Sequence, residues 1–201
     1  MDPAVALVRA YLHVNGYFTV TEYPVLEALE AGGYRTMTDL DVLAFRFPGA
    51  GRRVGGSDTG LDAFEPDPEL GADPGGTDMI VAEVKEGRAA LNRASTEPDV
   101  LRAALVRFGC CPASEVNDAV EGLQRDGRVR LPGDRVVRLV AFGLPPAEEI
   151  ENARVVTLGH VTRFLRDYLD EYWDALHHAE SKDPAMGVLM ALEKAEREEA
   201  G

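Results

Sequence analysis

The chain has 201 residues, of which 45% are hydrophobic and 28% charged, a composition that excludes a mostly disordered protein. Its 35 acidic and 21 basic side chains leave a formal net charge of −14, which excludes a surface coated with positive charge for DNA or anionic membranes. Any nucleic-acid site must therefore be a local patch. Only three of the basic residues are lysine, and Lys85 is the one lysine before position 182.

The N-terminal segment lacks the basic start and long apolar run of a secretory signal, and no run of 18 or more apolar residues could span a membrane. The two cysteines, Cys110 and Cys111, are adjacent, and neither has the spacing of a zinc site. We expect both to be reduced. The sequence thus predicts a cytoplasmic protein with no membrane partner.

The first elements in chain order are one helix and three strands. Helical apolar spacing predicts a helix over residues 3–15, and β-branched and aromatic residues predict strands over 17–29 and 34–47. Residues 48–77 are dominated by Gly, Pro and acidic side chains, so they predict a long flexible loop. The apolar run 78–86 predicts a buried strand with a polar end.

The remaining elements are predicted as helices at 98–108 and 113–126, a hairpin at 128–143, a short helix at 146–153, a strand at 154–161 and a helical C-terminus from 160 onward. This order predicts an α/β fold with a mixed central sheet flanked by helices. We place the α/β core at residues 1–165, with a small helix–helix–hairpin insertion at 98–135. An acidic helical region follows at 166–201, and its apolar stripe predicts either core or the seam of a homodimer.

The strongest chemical pattern lies on two of the predicted strands. Glu83 and Lys85 are two residues apart, so their side chains leave the same face of the sheet. If Asp41 lies on the neighbouring strand, its carboxylate converges with that of Glu83, and the two repel unless a divalent cation lies between them. Mg²⁺ suits one or two carboxylates and keeps several waters. Lys85 could then orient or deprotonate an attacking water, which arginine could not do.

These residues resemble a known family. Asp41-Val42-Leu43-Ala44, followed by a strand ending in Glu83-Val84-Lys85, looks like the core of the PD-(D/E)XK superfamily of Mg²⁺-dependent nucleases, which includes restriction endonucleases and archaeal Holliday-junction resolvases. The resemblance implies a restriction-endonuclease-like α-β-β-β-α-β core and hydrolysis of phosphodiester bonds in DNA. It implies that Asp41 and Glu83 bind Mg²⁺ (or Mn²⁺) and that Lys85 is the catalytic lysine.

Two points of the site stay open. Family members often carry a further carboxylate on the first helix or strand, and Glu22 is the best-placed candidate for it. Asp41 and Glu83 are 42 residues apart, which is longer than the usual hairpin connection. Asp39 or Asp78 could therefore supply the first ligand in place of Asp41.

Arginines provide the candidate contacts to DNA phosphates. The segment 86–138 contains nine arginines and eight acidic residues, so it is nearly neutral within a strongly acidic chain. Arg88 and Arg93 directly follow the predicted site, and the Arg52-Arg53 pair lies in the 48–77 loop. We expect these four side chains to meet the nucleic-acid backbone.

Two alternatives compete with a nuclease. The first is a catalytically inactive module of the same fold, acting in protein or nucleic-acid interaction, which the charge of −14 favours. The second is a winged-helix DNA-binding regulator, because residues 98–140 form the order helix, turn, helix and hairpin, with Arg128 and Arg130 on the hairpin. Acidic residues on its second helix, among them Asp118 and Glu121, argue against base recognition.

Overall fold

The computed structural model describes residues 2–50, 66–73, 75–178 and 180–200. The strands are β1 (Phe18–Ala28), β2 (Tyr34–Arg46), β3 (Thr77–Arg88), β4 (Arg128–Leu131), β5 (Arg135–Leu144) and β6 (Arg154–Thr157). The helices are α1 (Pro3–Val14), α2 (Pro98–Phe108), α3 (Val116–Asp126), α4 (Leu158–Glu171), α5 (Trp173–Leu176) and α6 (Pro184–Ala200). No helix in these ranges is long and apolar enough to cross a membrane.

The strands form one mixed sheet in the order β1-β2-β3-β5-β4, with β6 also paired to β5. β1, β2 and β3 make an antiparallel meander, whereas β3 and β5 are parallel. Parallel neighbours need a crossover connection, and here α2, α3 and β4 make it. The predicted mixed sheet flanked by helices is confirmed.

Each face of the sheet has its own hydrophobic core. Alternate residues of β2 and β3, such as Val42 and Ile80, pack with α1, α4 and α6 on one face. Their neighbours in sequence, such as Leu43 and Val81, pack with α2 and α3 on the other face. Side chains two residues apart on a strand share a face, so the candidate site residues at odd positions of β2 and β3 belong to the α2–α3 side.

Two predicted elements in the last third are wrong. Residues 145–153 contain turns and no helix. Ile150 is the one large apolar residue of this segment, so a helix here would have no apolar face to bury. The strand predicted over 154–161 ends at Thr157, whose Oγ1 accepts a hydrogen bond from His160 N at 3.1 Å. That bond caps the N-terminus of α4, so the second half of the predicted strand is helix.

The part of the 48–77 loop that the structure describes is tied to the core at its C-terminal end. Asp67 Oδ2 accepts a hydrogen bond from Tyr11 Oη at 2.7 Å and lies 2.5 Å from His160 Nε2. Asn15 Oδ1 accepts from Asp67 N at 2.7 Å, and Leu70 is fully buried. Residues 51–65 and 74, which include most of the predicted flexible loop, lie outside the described residues.

The C-terminal helices pack on the α1 side of the sheet. α4 spans the division that we predicted between residues 165 and 166, and Met186 and Met190 of α6 are buried in the same core as α1. The apolar stripe of α4, including Leu165 and Leu169, is buried there too. A homodimer through the C-terminal region stays a prediction, and it would need residues other than this stripe.

Candidate metal and catalytic site

Asp41 and Glu83 lie side by side where β2 and β3 begin to separate. The last paired residues of the two strands are Val42 and Ala82, so one further step of the antiparallel ladder places Asp41 opposite Glu83. Beyond that point a side chain joins the two strands instead of a backbone carbonyl, because Asp41 Oδ2 accepts a hydrogen bond from Val84 N at 2.7 Å. The carboxylates predicted to converge are therefore neighbours on the α2–α3 face.

Glu83 is a buried carboxylate that is only half satisfied. Its side chain is 3% exposed, and its Oε1 accepts a hydrogen bond from Lys85 Nζ at 2.5 Å. Its Oε2 is buried and has no hydrogen-bond partner among the described residues. A buried polar atom without a partner costs about 1–3 kcal/mol, so this oxygen marks a position where a further ligand would be stabilising.

The pKa of Glu83 reflects this environment. Burial raises the pKa above its usual value of 4.5, and the negative charge of Asp41 raises it further. The hydrogen bond from Lys85 opposes the effect without cancelling it, and so does the nearby Ser95 hydroxyl, which itself donates to the Asn92 carbonyl oxygen at 2.7 Å. The net shift upward means that burial, together with the Asp41 charge, outweighs the stabilisation that Lys85 gives to the ionised form of Glu83.

Lys85 connects the buried carboxylate to solvent. Its side chain is 39% exposed, although its ammonium group is bonded to Glu83. A flexible lysine in this position can hold Glu83 and still reach a molecule arriving from solvent. The structure thus brings together Asp41, Glu83 and Lys85, the three residues that the sequence singled out for the centre of the site.

Glu22 lies next to Asp41 on the other side of β2. Its neighbours Thr21 and Tyr23 pair with Val42 and Leu40, which places Glu22 opposite Asp41 at the exposed edge of the sheet. Its backbone has a φ of 54°, in the left-handed region that residues with a side chain seldom adopt. Such strain is often found at functional positions.

The two alternatives for the first ligand differ in their surroundings. Asp39 lies on β2 two residues before Asp41 and is exposed. Asp78 is fully buried on the opposite face of β3, where Arg138 donates hydrogen bonds to both of its oxygens. Asp78 therefore cannot replace Asp41, because its side chain is separated from Glu83 by the sheet itself.

The candidate phosphate contacts are dispersed. Arg88 is exposed at the end of β3, where it lines a cavity of about 780 Å³ together with Arg125 and the segment 146–152. Arg93 is exposed on the following segment and lies 3.9 Å from Glu97. Arg52 and Arg53 fall outside the described residues, so their role stays a prediction.

The hairpin of the winged-helix alternative has its arginines engaged within the chain. Arg128 and Arg130 both donate to Asp73 Oδ2, at 3.3 and 2.8 Å. Asp118 and Glu121 of α3 are exposed, so the helix that would enter the DNA groove presents negative charge. These contacts favour a structural role for the helix–helix–hairpin insertion.

The donor set fits Mg²⁺ but provides few ligands. No group of three or more His, Cys, Asp or Glu side chains suited to a metal ion occurs within the ranges that the structure describes. Mg²⁺ is commonly held by one or two carboxylates, with water and substrate phosphate completing its octahedron. Asp41 and Glu83, with the unpartnered Oε2, meet that minimum.

Sequence reasoning missed two features of this face. Ser95, in a short 3-10 helix before α2, is buried beside Glu83. Three phenylalanines, Phe18, Phe45 and Phe47, cluster farther along the same strands. Their alternating positions on two antiparallel strands could have suggested that they share a face.

Comparisons with protein-family models, with curated proteins and with solved structures give no match for this chain.

Proposed function

We propose that the protein is a Mg²⁺-dependent nuclease of the PD-(D/E)XK type that hydrolyses phosphodiester bonds in DNA. The observation that carries the proposal is Glu83 Oε2, a buried oxygen with no hydrogen-bond partner among the described residues, on a carboxylate that lies beside Asp41 and is bonded to Lys85. A purely structural carboxylate at this depth would be expected to have both oxygens bonded.

The element order supports the same family. A helix, an antiparallel meander of three strands, a helical crossover and a parallel strand form the sequence α1, β1, β2, β3, α2 and β5. The acidic residue lies on the second strand and the Glu-x-Lys pair on the third, as the resemblance requires. Fold alone does not establish chemistry, so the proposal depends on the site residues.

Each residue has a separate role in the proposed reaction. Asp41 and Glu83 would hold the metal through their carboxylate oxygens. Mg²⁺, when bound, polarises the phosphate and makes a coordinated water more acidic. Lys85 orients the attacking water and stabilises the negative charge that develops on the phosphate oxygens. A bond forms from the water oxygen to phosphorus while the water loses a proton to solvent, the bond to the leaving sugar oxygen breaks, and that oxygen takes up a proton from solvent.

A DNA cleavage assay tests the proposal. The wild type is incubated with single-stranded, duplex and branched DNA in Mg²⁺ or Mn²⁺, with EDTA as the blank. We expect cleavage by the wild type, a loss of about 10²–10⁴-fold in Lys85→Ala, and an equal or larger loss in Glu83→Gln. The matched controls are Glu30→Gln and Lys182→Ala, which change an exposed carboxylate and an exposed lysine away from the site.

Two outcomes contradict the proposal in different ways. Cleavage that persists in Glu83→Gln and Lys85→Ala would show that another site acts on the DNA. Absence of cleavage on every substrate would favour the second candidate, the inactive module of the same fold. The net charge of −14 supports that candidate, and so does the small number of carboxylates at the site among the described residues.

The variant Lys85→Arg separates a requirement for positive charge at this position from a requirement for a lysine that fits closely and can release its proton. Arginine keeps the positive charge but is larger and does not release its proton at neutral pH. We expect this variant to remain at least about 10²-fold below the wild type, since general acid–base or closely positioned groups contribute on that scale. Full activity in Lys85→Arg would show that position 85 needs only a positive charge, which would contradict a specific role for lysine.

A further inference from the structure

Phe18, Phe45 and Phe47 form an aromatic patch on the α2–α3 face of the sheet. The Phe18 and Phe45 rings are stacked with centroids 5.3 Å apart, and the Phe47 ring meets Phe45 edge-on at 5.4 Å. Phe18 and Phe47 are nevertheless 59% and 56% exposed. Large aromatic side chains exposed together are unusual on a protein surface, and they commonly mark a binding site.

The aromatic patch opens into a cavity of about 530 Å³ beside the end of α2. Its apolar lining includes Leu43, Met79 and Phe108, and two cations, Arg107 and Arg135, contribute to it. Arg135 is fixed by hydrogen bonds to the carbonyl oxygens of residues 110 and 132, at 2.8 Å each. Arg107 lies 5.7 Å from the centre of the Tyr23 ring. The cavity therefore combines aromatic faces with positive charge.

The aromatic patch and the carboxylates lie along the same face of the sheet, and β2 carries a member of each, Phe45 and Asp41. Phe18 pairs with Phe45 and Val20 pairs with Leu43, and Asp41 lies two residues beyond Leu43, between the pairs Thr21–Val42 and Tyr23–Leu40. Asp41 and Phe45 are four residues apart, which corresponds to about 14 Å along a strand. One extended ligand lying along β1 and β2 can therefore contact the aromatic patch and the carboxylates at once.

The charge of the protein limits what that ligand can be. Duplex DNA is held mainly through its phosphates, and a chain with a net charge of −14 has little positive surface for this purpose. The bases of a duplex are already stacked on one another, so exposed rings cannot stack on them. Unpaired bases can stack on aromatic side chains, which contributes binding energy without requiring many cations.

We propose that the substrate is single-stranded DNA, bound along β1 and β2 with unpaired bases stacked on Phe18 and Phe47. Arg107 contacts the backbone phosphate next to these bases, and the strand continues past Leu43 to Asp41 and Glu83. This inference rests on the proposed nuclease function for the class of ligand, and it specifies the form of that ligand.

Fluorescence anisotropy tests the proposal without requiring cleavage. The probe is a fluorescein-labelled oligothymidine of about 12 nucleotides, a length within the range of known single-strand sites, and it is compared with a duplex of equal length. Titrations are made in EDTA and again in Ca²⁺. The test variant is Phe18→Ala/Phe47→Ala, and the matched control is Leu26→Ala, which removes another exposed apolar side chain of β1.

We expect the wild type to bind the single strand at least tenfold more tightly than the duplex. The double variant should lose at least tenfold in affinity, since stacking of each base contributes appreciably, whereas Leu26→Ala should keep wild-type affinity. Arg107→Gln should reduce the slope of log affinity against log salt concentration by about 0.7. Thermal melting of each variant shows that the loss is not caused by unfolding.

Three outcomes overturn the inference: no binding of the single strand, equal binding of single strand and duplex, or a double variant with unchanged affinity. The cleavage assay separates these results from failure of the proposed function. Tight, Phe18-dependent binding without cleavage would contradict the nuclease and leave the single-strand site intact. Cleavage with unchanged binding in the double variant would contradict the single-strand site alone.

Discussion

Strand β3 has one buried carboxylate on each face, and the two are held in different ways. Asp78 receives hydrogen bonds from Arg138 at 2.7–3.1 Å and from the Tyr17 hydroxyl. Glu83, five residues further along, has Lys85 on one oxygen and no partner among the described residues on the other. A fully bonded buried pair stabilises a fold, whereas a half-bonded one keeps the capacity to bind something else.

Arg138 and Lys85, the cations paired with these two carboxylates, also differ in how many hydrogen bonds they make. Burial alone would lower the pKa of Arg138, but its hydrogen bonds and charge interaction with Asp78 outweigh burial and raise it. Arg138 also donates to the Leu70 carbonyl oxygen at 2.6 Å, so each of the three guanidinium nitrogens makes at least one hydrogen bond. Lys85 is partly exposed and has a single bond to Glu83. The comparison predicts that removing the first pair affects stability and that removing the second affects metal binding and catalysis.

The largest effect on stability is expected for Arg138→Met. This change leaves the Asp78 charge buried without its main partner, so the free energy of unfolding should fall by about 3–5 kcal/mol. Urea denaturation at neutral pH measures the loss. Arg130→Met is the control, because Arg130 is exposed and pairs with Asp73 at the surface, and it should change stability by less than about 1 kcal/mol.

A double variant sharpens the same test. In Asp78→Leu/Arg138→Met both charges are gone, and replacing a whole buried pair by apolar groups is often close to neutral. The double variant should therefore be more stable than Arg138→Met alone. A double variant less stable than the single one would mean that the shape of the pair, and not its charge balance, holds the strands.

A smaller loss is expected for Tyr17→Phe. The hydroxyl donates to Asp78 and accepts from Arg138 Nη2 at 3.2 Å, and removal of a hydrogen bond to a charged group lowers stability by about 1.5–3 kcal/mol. Tyr23→Phe is the control, since Tyr23 is only half-buried. Equal stability of Tyr17→Phe and the wild type would contradict a three-residue network.

Asp67→Asn should give a loss that depends on pH. Burial would raise the pKa of Asp67, but hydrogen bonds from His160, Tyr11 and the Glu69 backbone lower it below its usual 3.8. The ionised form is therefore favoured in the folded state, and its contribution is complete above pH 3.8 and lost as pH falls through the lowered value. The wild type should exceed Asp67→Asn by about 1–2 kcal/mol at pH 7.

Urea denaturation at pH 7 and at several values below 3.8 checks this sign. The difference between the wild type and Asp67→Asn should shrink steadily in acid. A difference that grows as pH falls would mean that the neutral form of Asp67 is the one that the fold prefers.

The smallest effect on stability is expected for Glu83→Gln. The pKa of Glu83 is raised, so its ionised form is not favoured by folding, and a neutral amide of equal size should change stability by less than about 1 kcal/mol. The same variant should lose cleavage. A large loss of stability without loss of cleavage would mean that Glu83, like Asp78, stabilises the fold and has no role in cleavage.

Much of the fold could be predicted from local patterns. The predicted bounds of the helix at 98–108 agree with those of α2, because Pro98 opens it and Gly109 closes it with a left-handed φ of 61°. The strands β2 and β3 were found from composition and alternation. The sequence predicted that Asp41 and Glu83 would converge if their strands were neighbours, and the observed register of β2 and β3 puts them side by side.

The rest depends on contacts between residues far apart in the chain. Asp78 was a candidate ligand because nothing near it in sequence reveals Arg138, sixty residues later, as its partner. The cavity beside the aromatic patch combines residues from β1, β2 and α2, and no local pattern predicts that combination. Thr157 favours a strand by composition, whereas its side chain ends the strand by capping α4.

Binding of Mn²⁺, followed by electron paramagnetic resonance without any DNA, tests the central claim most directly. We predict one Mn²⁺ per wild-type chain, at least roughly tenfold weaker binding in Asp41→Asn and Glu83→Gln, and unchanged binding in Asp39→Asn. A wild type that binds no Mn²⁺, or a Glu83→Gln variant that binds it as tightly as the wild type, would contradict the assignment of the half-bonded carboxylate as the metal site.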